Sequence, residues 1–499
     1  MWRAAGRVTV ARMRLSSTAL IFAWLLAAGP QTPSLAPAPL TDTAPSGGER
    51  LRFSIASSIL GETRHVFVAL PASFARTGPA RRYPLIVVLD GEGHSATTVV
   101  DASRELSRNG LMPDAVVVGI ENTNRLRDLT PPGLSVSGSS LTEGGDRFLD
   151  FLERELIPAI DARFRTAAPR VLVGHSSGGI LATYAGATRV TFRLIVALDA
   201  PTDLGDNWLV AKMVARAKKG GDPLRYASYN AVYGWTDASW RELAAAAPAS
   251  WKLRHEKFQN ETHNSMTLLG AYLGLRELFT DYSRKAAPVY PTTSILPYYE
   301  RLSAGYGGSL VPPENLMRDV VEDLLMEGRG AGARAAFDAF VAAYGEPRDA
   351  AARRMQIAEV ERQPAPTETV ESLLATPLAA PATMAAYLGE WEGETRIGEN
   401  HRGHFSLNLS TEAGRMKGVV TWRFAPGEEL KQEIQYLTVQ PDGFTYGFMN
   451  GMRPRGMLLY VMKGSGNQLD GMMRWGGVKR PSFEGEEAPQ EFVTLKRVR

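Results

Sequence analysis

Arg170-Val-Leu-Val-Gly-His-Ser-Ser-Gly-Gly-Ile-Leu-Ala-Thr-Tyr-Ala185 reads as a buried strand that turns at once into a helix. Arg170 to Val173 is the strand, Gly179 to Ala185 can begin the helix, and Gly174-His-Ser-Ser-Gly178 is the turn between them. Small residues on either side of Ser176 let the chain turn sharply, which pushes the serine Oγ into the open. The helix start behind it favours negative charge developing there. G-x-S-x-G alone is a weak signal, but between a strand and a helix it marks Ser176 as a candidate nucleophile.

Outward from that turn, more strand-like runs alternate with amphipathic ones. His65 to Leu70, Tyr83 to Leu89, Ala115 to Ile120 and Leu194 to Leu198 are nearly unbroken Val/Ile/Leu stretches. Such runs fit strands buried on both faces of a mostly parallel sheet flanked by helices, an α/β fold. Phe148, Phe151, Leu152, Leu156 and Ile160 recur near the helical period, with Pro158 expected to end or kink that helix.

A nucleophilic serine needs a base, and the chain has only seven histidines. His263, in Glu261-Thr-His-Asn-Ser265, lies between an extended segment and a helix and is the candidate. In this fold type the acid falls between serine and histidine, after a strand. Asn230 to Gly234 reads as a short strand, so Asp237 is the choice, with Asp203 and Asp206 behind it. The oxyanion hole needs two backbone N–H groups. One is expected from Ser177. The other is expected from Gly91 or Glu92 in Leu89-Asp-Gly-Glu-Gly-His94, where Gly91 would let the backbone approach the substrate.

Several of these motifs together resemble a known family. They are Ser57-x-x-Leu60-x-Glu62-x-Arg64, Val68-Ala-Leu-Pro71, Leu89-Asp-Gly91 and Asn122-Thr-Asn-Arg-Leu-Arg-Asp-Leu-Thr-Pro131, then Gly174 to Gly179, Glu261 to Ser265 and Gly274-Leu-Arg-x-Leu-Phe279. The set resembles the putative-esterase family of α/β-hydrolases, which includes siderophore trilactone esterases, S-formylglutathione hydrolase and the mycolyltransferases. Arg-Asp-Leu-Thr-Pro is most similar to the siderophore-esterase branch. The resemblance covers residues 49–285 and implies an acid where Asp237 stands. Ala200-Pro201 departs from it, since relatives often carry Ser-Pro there. It implies a serine esterase acting through Ser176, Asp237 and His263 on a small-molecule ester, siderophore-type or other, with no cofactor and no metal. Acyl transfer from the same acyl-enzyme, and a catalytically inactive binding protein on the same scaffold, are the alternative functions.

The rest of the 499 residues is organised around that domain. Four arginines precede the apolar run Ala19 to Ala28 and the turn at Gly29-Pro30, the layout of a signal peptide over residues 1–29. Export to the periplasm or beyond is expected, with no membrane span left after cleavage. Residues 30–48 read as a flexible tether. Residues 286–359 read as helical, with one tetratricopeptide-like hairpin that must pack on something else. Residues 360–383, rich in Pro, Ala and Thr, read as a linker. Residues 384–499 show short alternating strands with Gly turns, an antiparallel β-barrel or sandwich outside the family resemblance. That domain holds eight of the sixteen methionines, which suits either a packed core or an apolar pocket.

Composition closes off other classes. With 44% apolar and 22% charged residues the chain is globular. Without the leader arginines, 52 basic residues face 53 acidic ones, so no basic field points to nucleic acid. The absence of cysteine excludes disulfides, thiolate metal sites and cysteine catalysis. His401 and His404 form H-x-x-H, but Gly403 and the strand texture around them argue for a solvated loop rather than a metal site.

Overall fold

The computed structural model describes residues 39–498 except 45–49, 135–142, 284–285, 289–293, 398–400, 426–427, 450–455, 465, 479–481, 484–485 and 488–490. The segment read as a signal peptide lies outside the described residues. Among those described, no helix is long and apolar enough to cross a membrane.

Nine strands build the first sheet: β1 (Thr41–Ala44), β2 (Arg50–Ser57), β3 (Glu62–Ala69), β4 (Tyr83–Val88), β5 (Val116–Ile120), β6 (Thr166–His175), β7 (Leu194–Leu198), β8 (Arg225–Asn230) and β9 (Lys252–Lys257). Their order is β1-β2-β3-β5-β4-β6-β7-β8-β9. From β5 to β9 neighbours run parallel, while β1, β2 and β3 add an antiparallel margin. The unbroken apolar runs are explained by what covers them. Ile86, Val88, Val117, Val173 and Val196 enter one core, and Leu85, Val87, Val116, Val118, Leu172 and Ile195 enter the other. Side chains alternate across the sheet, so both faces must be apolar where helices cover both.

Helix Ser177–Thr188 packs on the second face, and helices His94–Arg108 and Met266–Leu278 pack on the first. The expected helix around Pro158 neither ends nor breaks there. It runs as Gly145–Phe151 and Ile157–Phe164, joined by a π-helical turn, Leu152–Leu156. The wider turn lies just before the proline, whose missing N–H would otherwise interrupt the ladder. Two further readings are corrected. Thr41–Ala44, placed in the tether, is the edge strand β1, paired with β2. Asn230 ends β8, so Ala231 to Gly234 form the turn after a strand rather than a strand.

Helices Ile295–Tyr306, Glu314–Met326, Gly330–Tyr344 and Ala350–Glu361 follow. Their Leu316, Met317, Val320, Leu324, Phe337 and Phe340 belong to the same apolar core as sheet residues Val117 and Val196. The expected hairpin is therefore a third layer over one face of the sheet. The expected linker holds a helix, Val370–Ala375, capped reciprocally by Thr369 and Ser372. Its Leu373 packs on Met457 and Leu459, and Glu368 just before it takes both ends of the Arg474 guanidinium at 2.9 Å.

The C-terminal region is a second nine-stranded sheet, antiparallel throughout, whose ends are the strands Glu428–Glu433 and Tyr436–Gln440. It curls over one main core, with Met457 and Leu459 turned outward onto Leu373. Trp422, on the second strand of the order, meets Phe448, on the eighth, with ring centroids 5.2 Å apart. Phe405 and Tyr460, on the third and seventh, meet at 5.6 Å. A flat sheet could not bring those pairs together, so the architecture is barrel-like rather than a two-sheet sandwich. Met384, Met416 and Met462 sit among these rings as core residues. His404 lies on a strand, His401–Glu412, and not in a loop.

Candidate active site

Ser176 sits at φ 58°, ψ −122°, in backbone space that a non-glycine residue enters only when its surroundings impose it. Its N–H donates to the Leu198 carbonyl at 2.9 Å, and helix Ser177–Thr188 starts behind it. Gly174 is obligatory, because a Cβ there would lie 2.1 Å from the Gly178 carbonyl oxygen. Ser176 is therefore presented at the carboxyl end of β6, where open α/β sheets hold their ligands.

His263 comes from the loop before helix Met266–Leu278. Its ring lies 4.4 Å, centroid to centroid, from that of His175, the residue preceding the serine. The His175 Nε2–H donates to the His263 carbonyl at 2.7 Å, tying the histidine loop to the elbow. Burial pushes the His175 pKa below its ordinary 6.5, so at neutral pH the ring is an uncharged donor. The edge of Tyr233 closes another side of His263, at 5.3 Å. No hydrogen bond joins Ser176 Oγ to His263 here. Such contacts are commonly loose in unliganded hydrolases and tighten around the substrate.

The carboxylate on His263 belongs to Asp199, not Asp237. His263 Nδ1 donates to Asp199 Oδ2 at 2.6 Å. Asp199 is fully buried just after β7, and its Oδ1 accepts from the N–H groups of Ala231, Val232 and Tyr233 at 2.7, 2.9 and 2.9 Å. Four donors thus hold the side chain in one orientation. Asp237 is the exposed first residue of helix Asp237–Ala246, inside the Thr236/Ser239 capping box, where a carboxylate complements the helix start. Asp203 and Asp206 are exposed as well. The missed signal was position: Asp199 follows the strand Leu194–Leu198 with no intervening residue, whereas Thr-Asp-Ala-Ser is a helix-start pattern.

The two oxyanion candidates after β4 separate cleanly. The Gly91 N–H donates to the Ile120 carbonyl at 2.7 Å and cannot also serve a substrate. Its missing Cβ makes room for the Ile120 backbone, 2.5 Å away, and not for a ligand. Among the described residues the N–H groups of Glu92 and Ser177 have no hydrogen-bond acceptor. The loop carrying Glu92 is braced from outside. Asp90, at φ 57°, takes Arg125 Nε at 2.7 Å and Nη2 at 3.0 Å, while Asn122 Nδ2 bonds both Asp90 and Glu92. Arg125 Nη1 also reaches Ser177 Oγ at 3.3 Å. In the sequence these bracing residues stood out only within the family-like runs Leu89-Asp-Gly91 and Asn122 to Pro131 and the neighbouring candidate Glu92. Glu92, Asn122, Arg125, His175 and Asn264 line a cleft of about 300 Å³. Among the described residues, no cluster of three or more His, Asp or Glu could hold a metal ion.

A serine on a strand–helix elbow, at the carboxyl edge of a mostly parallel sheet with helices on both faces, defines the α/β-hydrolase fold. Within that class, residues 57–259 match the family described as "Putative esterase", and the C-terminal β domain lies outside the match. The chain is 33% identical over 117 residues to the siderophore triacetylfusarinine C esterase of Aspergillus fumigatus, covering 21% of this chain and 39% of that protein. An IroE-like serine hydrolase from Shewanella oneidensis superposes with a TM-score of 0.51 at 28% identity, over 58% of this chain and 99% of its own. The siderophore hydrolase EstA of Aspergillus nidulans is more distant, with a TM-score of 0.42 and 16% identity over 48% of this chain and 97% of its own.

Proposed function

We propose that the protein is an exported serine esterase that cleaves a small-molecule carboxylic ester through an acyl-enzyme. The carrying observation is the His263–Asp199 contact of 2.6 Å, placed beside a serine held at positive φ on the elbow. In this reading Ser176 Oγ attacks the ester carbonyl as His263 Nε2 takes its proton. Asp199 keeps the Nδ1–H tautomer and stabilises the imidazolium. The oxyanion is met by the Glu92 and Ser177 N–H groups at the start of a helix. His263 then protonates the leaving alcohol, and a water activated by the same ring releases the acid. The likeness to a siderophore esterase and to an IroE-like hydrolase supports an ester substrate of siderophore type. The basic leader and its short apolar run support export.

A fluorophosphonate probe tests this directly. Peptide mapping of the labelled protein should place one adduct on Ser176. Absence of labelling, or an adduct on another serine, would sink the reading.

A further inference from the structure

The turn Ala231 to Gly234 carries two side chains that its structural duty does not require. Its work for Asp199 is done by backbone: the N–H groups of Ala231, Val232 and Tyr233 hold Asp199 Oδ1. Any residue but proline would supply them. The turn is also fixed. Asn230 Nδ2 donates to the Tyr233 carbonyl at 2.5 Å, and Gly234, at φ 129°, leaves room for that amide, which a Cβ would displace. Yet Val232 is 55% exposed and Tyr233 48%. Large apolar side chains scattered singly on a surface need no explanation. These two are adjacent, and the Tyr233 ring stands nearly perpendicular to that of His263, centroids 5.3 Å apart. On the other flank of the histidine loop, Leu268 and Leu269 are exposed in the first turn of helix Met266–Leu278.

The cleft on the Glu92 side has the opposite character. Every side chain that lines it is polar, including Asp90, Glu92, Asn122, Arg125, Asn264 and Thr267.

Which half of an ester meets His263 follows from the chemistry. When the tetrahedral intermediate collapses, the bond between the carbonyl carbon and the alcohol oxygen breaks, and the proton on His263 Nε2 passes to that oxygen. The alcohol oxygen must therefore lie within hydrogen-bond reach of Nε2, with the rest of the alcohol beside the neighbours of that ring. We propose that Val232 and Tyr233 are specificity-determining residues that form the leaving-alcohol subsite, and that the substrate is an ester of an apolar, ring-bearing alcohol. The alcohol covers Val232 and sets its ring against Tyr233, removing both from water. This deepens the reading of Ser176 and His263 as an esterase pair and rests on it.

Three esters test it on the full-length protein: ethyl acetate, 2-phenylethyl acetate and methyl 3-phenylpropanoate, an isomer of the second with its ring on the acyl side. The kcat/KM for 2-phenylethyl acetate should exceed that of the other two by about tenfold. Tyr233→Ala and Val232→Glu, made separately, should each remove most of that preference, and Tyr233→Phe, which keeps the ring, should retain it. A replacement that merely disturbs His263 slows all three esters alike and leaves the ratios unchanged. The two replacements are independent, so total loss of activity in one leaves the other to decide. Equal kcat/KM for ethyl and 2-phenylethyl acetate, an equal gain for methyl 3-phenylpropanoate, or a preference that persists in Tyr233→Ala and Val232→Glu would overturn the subsite and leave the esterase reading intact. No turnover of any ester would instead fail the Ser176 reading, and the subsite with it.

Discussion

Asp199 and Asp237 carry the same group, and their surroundings separate them. Asp199 is buried and accepts three backbone N–H bonds plus the imidazole, while Asp237 is exposed at a helix start. Asp199→Asn should therefore lower kcat by about 10³- to 10⁴-fold on p-nitrophenyl butyrate, because an amide no longer selects the productive tautomer. Asp237→Asn should stay within about twofold of the parent; the reverse ranking would refute this assignment. The positions of Ser176 and His263 were legible because each lies in a local pattern, a strand–helix elbow and a pre-helix loop. The carboxylate that meets His263 was not, because its other partners come from the turn Ala231 to Tyr233, more than thirty residues on, and no local spacing records that contact. A pH effect belongs to this scale too. Burial holds the pKa of His255, packed on Trp240 at 5.0 Å, below 6.5. The unfolded chain then binds the proton more readily, so stability is lost as pH falls from 6.5 toward the depressed folded pKa. His255→Phe should shrink the drop in Tm between pH 7.5 and pH 5. An unchanged drop would show that other groups dominate.

Among the elements, the elbow tolerates least. A methyl at Gly174 would collide with the Gly178 carbonyl at 2.1 Å, a backbone atom that cannot swing aside. Gly174→Ala should cost about 3 kcal/mol in chemical denaturation and remove most activity by displacing Ser176. Parent-like stability would mean that the turn relaxes. The parallel strands were readable because burial on both faces leaves a continuous apolar run. The π-helical turn before Pro158 was not, since the pattern of apolar residues is the same whether the helix breaks or widens. Barrel or sandwich could not be chosen from the strand pattern either. The choice depends on meetings such as Trp422 with Phe448, between strands at nearly opposite ends of the sheet order.

At the scale of the molecule, the helical layer and the β domain stand in different relations to the first sheet. Leu316, Phe337 and Phe340 share a core with Val117 and Val196, whereas the helix Val370–Ala375 is packed on the β domain through Leu373. The chain can thus be divided after Arg362 more safely than before Ile295. A protein ending at Arg362 should stay soluble and hydrolyse p-nitrophenyl acetate at close to the full-length rate. One ending at residue 288 should aggregate, because it bares the face that the helical layer covers. Loss of solubility in the longer form would make the β domain part of the catalytic unit. The proposed chemistry rests finally on one atom, Ser176 Oγ. The most direct measurement is hydrolysis of p-nitrophenyl butyrate by purified Ser176→Ala, with its circular dichroism and Tm checked against the parent. The account predicts an unchanged fold and a rate lower by about 10⁴-fold or more; a folded variant that keeps the parent rate would contradict it.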